Sequence, residues 1–119
     1  MSEHVHWVLE VELKANAESD LRALMLEMVG ATKADEPGAL NYEWYFNEAG
    51  TVCHLYERYA SSDAAMIHLG NFGTKFASRF LGLVRPMRMT VYGPADENVR
   101  AALAPMNATF MDEVGGFTR

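Results

Sequence analysis

Two residues in the run YERYASSDAAMIHL, Tyr56 to Leu69, are of the right types for acid–base chemistry. Glu57 is a carboxylate inside an aromatic, strand-like stretch, and His68 is a lone imidazole on the helix that follows. A carboxylate buried between Tyr56 and Arg58 is costly unless something pairs with it. Glu57 is therefore either half of an acid–base pair facing a pocket or a structural ion pair with Arg58, Arg85 or Arg88. His68 has two readings as well. It can be a general base, kept neutral because burial disfavours the imidazolium, or a helix residue whose ring bonds a backbone carbonyl. His4-x-His6 places two imidazoles on one strand face, but no third ligand is evident and a metal is not expected. Cys53 reads as an inert core thiol.

The elements that must position these groups follow from periodicity. Val5, Trp7, Leu9, Val11 and Leu13 alternate with polar residues, the pattern of a half-buried strand. Asn16 is the expected cap of a helix whose apolar stripe is Leu21, Leu24, Met25, Met28 and Val29, with a stop expected near Gly30. DEPGAL is a loop, since Pro37 disfavours helix at Glu36. Leu40–Phe46 and Thr51–Ala60 form a hairpin. A turn centred on Ala49 groups Tyr42, Trp44 and Phe46 with His54, Tyr56 and Arg58, and Asn41 with Cys53, Leu55, Glu57 and Tyr59. A one-residue bulge would swap the sets.

Ser61 or Ser62 caps the second helix, with Ala65, Leu69, Phe72, Phe76 and Phe80 as its stripe and a break expected at Gly70 or Gly73. Leu83–Tyr92 is a last core strand, with Pro86 at an edge or bulge. The order β-α-β-β-α-β is α+β and ferredoxin-like, with an antiparallel sheet. Residues 1–93 make that unit. Residues 94–119 extend it with a short helix, Pro94–Leu103, and a short strand, Thr109–Val114. On this register both sheet faces call for burial, and a second copy packed sheet to sheet provides it.

Composition narrows the partners. The chain of 119 residues is sized for one domain, and its one cysteine excludes an internal disulfide. A net charge of −6, from 10 basic and 16 acidic residues, shows no basic patch for nucleic acid. No apolar run approaches the roughly 18 residues of a membrane helix. The start MSEHVHWVLE lacks signal-peptide features, so a cytoplasmic protein is expected.

The runs EPGALNYEWY and LYERYASSDAAMIHL resemble the antibiotic biosynthesis monooxygenase domain of the dimeric α+β barrel superfamily. The matching positions are Glu36-Pro37-Gly38, Tyr42, Glu57 with Tyr59 (where Trp is common), Ala65 and His68. The resemblance covers roughly residues 4–92 and implies a homodimer with a pocket in each subunit between sheet and helices. It also implies a reaction without flavin or metal, in which a phenol, hydroquinone or anthrone supplies its own electrons to O2. That chemistry requires a base, a donor near the developing phenolate and aromatic walls. The implied set is His68 or Glu57 as base, Asn41 and Tyr42 as orienting donors, and Trp44, Tyr56, Met66, Phe72 and Phe76 as walls. Haem-degrading relatives carry a histidine further along the second helix, and Lys75–Arg79 here has none. A non-catalytic dimeric module that binds a small hydrophobic ligand is the alternative.

Overall fold

The structure, a computed structural model, describes residues 2–119. Strand β1, Val5–Leu13, buries its odd-numbered residues and turns Val8, Glu10 and Glu12 outward. Helix α1, Glu18–Asp35, buries Leu21, Leu24, Met28 and Thr32, one stripe at helical spacing. Asn16 does not cap it. Its φ of 61° puts it in the preceding turn, and Ala17 occupies the cap position with no side-chain bond. The helix also runs past Gly30, where nothing crowds it, and ends at Asp35. Pro37 is the physical stop, because it disfavours helical geometry at Glu36.

Strands β2, Ala39–Phe46, and β3, Val52–Tyr59, form the expected hairpin. Its register is the swapped one. Tyr42 opposes Glu57, Trp44 opposes Leu55 and Phe46 opposes Cys53, so the turn is centred between Ala49 and Gly50 rather than on Ala49. The Asn47 side chain sets this, since its Oδ1 accepts from the Thr51 and Val52 amides at 2.9 and 3.0 Å. Gly50 closes the turn at φ 69°, a conformation other residues rarely adopt. Half a residue of shift exchanges the two faces completely. Tyr42, Trp44 and Phe46 therefore join Cys53, Leu55, Glu57 and Tyr59 under the helices. Asn41, Glu43 and Tyr45 lie outside with His54, Tyr56 and Arg58. The expectation that both faces are apolar is corrected with it, because the outer face mixes Glu10, Glu43, Arg58 and Arg88 with Val8, Tyr45 and Tyr56.

Helix α2, Ser62–Lys75, is capped by Ser61, whose hydroxyl accepts from the Ala64 amide at 3.2 Å. It passes through Gly70 and Gly73, which meet open space, and breaks only at Phe76. The short α3, Ala77–Leu81, then buries Phe80. Strand β4, Val84–Tyr92, carries a bulge: Glu10 pairs with Arg88 and Val11 with Pro86, leaving Met87 unpaired. The proline sits where its missing N–H interrupts the ladder. The sheet order is β2-β3-β1-β4-β5, with β5, Thr109–Met111, parallel to β4 and the other pairs antiparallel. Helix α4, Glu97–Leu103, is capped by Asp96 and packs on α2, burying Val99 and Leu103. The architecture is ferredoxin-like α+β with this added helix and strand.

Gly38 joins the loop to α2, its carbonyl accepting from the Ala60 amide at 2.9 Å. A Cβ added there would stand 2.6 Å from the Cβ of Ala64. Gly38→Ala must push α2 away from the sheet, and such overpacking costs about 1–3 kcal/mol. A urea titration should show the unfolding free energy falling by that amount.

Candidate active site

The loop after α1, the strand β3 and the helix α2 bring three ionisable side chains into one line. Glu36, held out of the helix by Pro37, turns inward. Its amide still donates to the Thr32 carbonyl at 3.0 Å. Glu57 projects from the helix-covered face of β3, and His68 lies on the inward stripe of α2 with Ala65. Their exposures are 6 % for Glu36, 4 % for Glu57 and 5 % for His68. His68 Nδ1 is 2.8 Å from Glu36 Oε1, and Nε2 is 3.2 Å from Glu57 Oε1. The Tyr59 hydroxyl donates to Glu57 Oε1 at 2.7 Å, and Asn71 Nδ2 donates to Glu36 Oε2 at 3.2 Å. The imidazole is flanked by the rings of Tyr42 and Tyr59, each centred 5.1 Å away.

This geometry corrects one expectation and weighs against another. Glu57 has no arginine partner: Arg58 lies on the outer face, donating to His4 Nδ1, while Arg85 and Arg88 meet Glu12 and Glu10. For His68 the surroundings work against the effect of burial. Burial pulls its pKa down, but the hydrogen bond and charge of Glu57, joined by those of Glu36, outweigh burial and hold it above 6.5. A carboxylate at each ring nitrogen favours the imidazolium, a form with no lone pair to act as a base. The remaining acceptor is Glu57 Oε2, which makes no hydrogen bond with any described residue. The Tyr42 ring lies edge-on to Trp44, whose indole N–H is the polar group beside its hydroxyl. Burial, then the charge of Glu57, push the Tyr42 phenol above its ordinary range, although the nearby Trp44 N–H pulls the other way. Tyr59 is raised for the same two reasons, so both phenols stay protonated donors.

Glu57, His68 and Tyr42 line a cavity of about 80 Å³, otherwise apolar, whose wall includes Leu55, Phe72, Phe80 and Met89. Leu103 and Met106, from the segment after Gly93, complete it. Of the residues read from the sequence, Glu57, His68, Tyr42 and Phe72 come together here. Phe76 lines a narrow crevice on the Glu36 side of His68. Trp44 packs edge-on against Tyr42 and Phe80 behind the cavity, and Met66 packs on the margin of the core. Asn41 and Tyr56 are not in the site. The hairpin register sends them outside, where Asn41 bonds Glu43 at 3.0 Å and Tyr56 contacts His6 and Arg58. His4 and His6 are engaged there by Arg58 and Tyr56. Cys53 is fully buried, and burial pushes its thiol up to about 12.

Sequence reading missed Glu36, Tyr59, Phe80, Leu103 and Met106 as site residues. A signal existed for two of them. Glu36 is a carboxylate forced out of helix beside a proline, and Tyr59 is two residues along the same strand face as Glu57.

The family described as antibiotic biosynthesis monooxygenase matches residues 5–78. Among solved structures, MupZ from Pseudomonas fluorescens is 27% identical with a TM-score of 0.89, over 100% of this chain and 91% of that one. Rv0793 from Mycobacterium tuberculosis is 30% identical with a TM-score of 0.60, over 79% and 97% of the two chains. SnoaB, a cofactor-independent oxygenase from Streptomyces nogalater crystallised as a point mutant, shares the fold at 13% identity and a TM-score of 0.64, over 76% and 91%. Among curated proteins none is similar to the chain in sequence.

The raised proton affinity of His68 has a thermodynamic consequence. A group that binds its proton more tightly when folded stabilises the fold fully below its unfolded pKa, 6.5 here, and loses that contribution as pH rises through the higher folded value. Urea midpoints of the wild type and His68→Gln should differ most below pH 6.5, and the gap should narrow as the pH is raised.

Proposed function

The chain belongs to the antibiotic biosynthesis monooxygenase family, and from that premise we propose that it oxidises a small phenol or hydroquinone with O2, without a bound cofactor. The observation that carries the reading is a buried carboxylate, Glu57, that lines an apolar cavity together with Tyr42 and His68 and whose Oε2 makes no hydrogen bond with any described residue. Glu57 takes the phenolic proton. The phenolate is stabilised by the Tyr42 hydroxyl and by the imidazolium of His68, both worth more in a low-dielectric cavity than in water. The electron-rich anion then reduces O2. One oxygen atom bonds to ring carbon, and its C–H hydrogen and the phenolic proton leave with the other as water. A phenol and O2 thus give a quinone and H2O, with all four electrons from the substrate. His68 acts here as a charged donor, and the base is the carboxylate.

The second reading is a module that holds a small hydrophobic ligand without turnover, and cavity size constrains both readings alike. An apolar cavity of about 150 Å³ holds benzene, and this one is near 80 Å³. For either reading the wall must yield to admit a ring, and Leu103 and Met106 are the side chains that the added segment contributes to that wall.

We also propose a homodimer with the outer sheet faces opposed. Glu10, Glu12 and Glu43 on that face complement Arg58 and Arg88, and Tyr45, 56 % exposed, supplies apolar contact. Sedimentation equilibrium should return twice the 13.3 kDa chain mass; a monomer at micromolar concentration would remove the dimer.

An aerobic screen of hydroquinones on an oxygen electrode tests the reaction. Once a substrate is found, Glu57→Gln should lower kcat by about 10²–10⁴-fold, the usual worth of a positioned general base. A variant that binds and turns over normally would return the base to another group. Binding of quinols with no oxygen uptake by the wild type would favour the ligand-holding module.

A further inference from the structure

The wall of the cavity at Glu57 is not equally buried all round. Most of its residues are buried, but Tyr42, Leu69, Phe72 and Met106 are only half-buried. Tyr42 and Phe72 also line the crevice beside Glu36, which accounts for their exposure. Leu69 and Met106 do not, so the cavity meets solvent between them. The two sides of that mouth are held with different firmness. Leu69 follows His68 on α2, the helix that Ser61 caps and the two carboxylates grip. Met106 ends a single 3₁₀ turn, Ala104–Met106, in which no residue is buried. Asn107 then takes the left-handed conformation at φ 55°, and its amide bonds the Ala104 carbonyl at 3.0 Å. Methionine is unbranched and adapts its side chain to irregular gaps. Leu103, by contrast, is buried on α4, which is tied to α2 by the Asp96 amide donating to the Ser62 hydroxyl at 3.0 Å.

We propose that Met106 is the gate of this cavity, and that Met106 and Leu103 together limit its ligand to a single aromatic ring. The gate presupposes that a phenol occupies the cavity, whether or not it is oxidised there. An apolar cavity that holds benzene measures about 150 Å³, against about 80 Å³ here. The shortfall is of the order of one large side chain leaving the wall. Leu55, Phe80 and Met89 cannot supply it, because they belong to the buried core, where a packed side chain has no vacant space to move into. Rotation of Met106 toward solvent can, since it breaks only the contacts of a half-buried side chain. A ring then enters with its hydroxyl leading toward Glu57 and Tyr42, the polar groups of the wall beside His68. Met106 closes behind its far edge. Leu103 stays in place, so a second fused ring would hold the gate open. Both limits come from the segment after Gly93, whereas the β-α-β-β-α-β unit supplies the acid–base groups.

The test is binding to the full chain, with phenol and 2-naphthol as probes. Calorimetry gives the affinities, and stopped-flow tryptophan fluorescence gives the phenol association rate, since Trp7 is in the cavity wall. The wild type should prefer phenol by about tenfold or more, as a pocket selects by size. Met106→Ala should abolish that preference. It should also speed phenol association by about tenfold or more, because entry that waits on a conformational change is slow. Leu103→Ala enlarges the buried part of the wall and should tighten 2-naphthol without speeding phenol entry, a separation that general loosening would not produce. If Met106→Ala does not fold, Met106→Trp overfills the mouth and should slow phenol entry by about tenfold or more. Unchanged phenol association in the folded Met106 variant, equal acceleration by Leu103→Ala, or a wild type that takes 2-naphthol as tightly as phenol overturns the gate. Binding of neither probe to the wild type or to Met106→Ala overturns the gate and the phenol site together. If size selection and rates behave as expected but no oxygen is consumed, the gate stands and the assigned reaction alone fails.

Discussion

Two carboxylates closing on one buried imidazole set the terms for the rest of this structure. Three ionisable groups within hydrogen-bond distance, each at least nine-tenths buried, carry a desolvation cost of several kcal/mol per ion. The cost is met by neutral donors on the carboxylates, Tyr59 on Glu57 and Asn71 on Glu36, and by the aromatic rings that fix the imidazole plane. Leu or Met at these positions would be cheaper for stability, since replacing buried ion pairs by packed apolar groups is often neutral or gains about 1–4 kcal/mol. Perturbed, partnered groups at the wall of a cavity are what a reactive site needs.

The elements around the triad are fixed by devices that tolerate little displacement. Pro37 ends α1 where Glu36 must turn inward, Gly38 lets α2 approach the loop, and Ser61 starts α2 so that Ala65 and His68 face the sheet. Asn47 sets the hairpin register that puts Glu57 under the helices. Each acts on a different element, yet all four must hold for His68 to meet both carboxylates. The segment after Gly93 then closes the cavity with Leu103 and Met106. A β-α-β-β-α-β unit without it would leave that wall open.

The same register gives the outer face its character. With Tyr42, Trp44 and Phe46 taken inside, the exposed sheet carries ion pairs such as Arg88–Glu10 at 3.7 Å and Arg85–Glu12 at 3.5 Å. Exposed pairs of this kind are worth about 0–1 kcal/mol. A partner on that face would be selected by charge pattern as much as by apolar area.

The sequence by itself determined the element order, the ferredoxin-like class, the inward set of β1 and most of that of α1, because those rest on periodicities of two and 3.6 residues sustained over many positions. For α2 it placed Ala65 inward but not His68, and it assigned Phe80, which lies on α3, to the same helix. It also determined that Glu57 and His68 needed partners, because an unpaired charge cannot be buried cheaply. What only the tertiary structure decided were the quantities that depend on a single residue of register or on contacts far apart in the chain. Periodicity alone left two hairpin pairings open, and the side chain of Asn47 resolved them, which moved Asn41 and Tyr56 out of the site. Glu36 and His68 are 32 positions apart, so their pairing, and with it the sign of the histidine's pKa shift, was invisible to local pattern. Burial was legible and pointed to a neutral imidazole. The two carboxylates that reverse it meet His68 only when the loop, strand and helix are packed together.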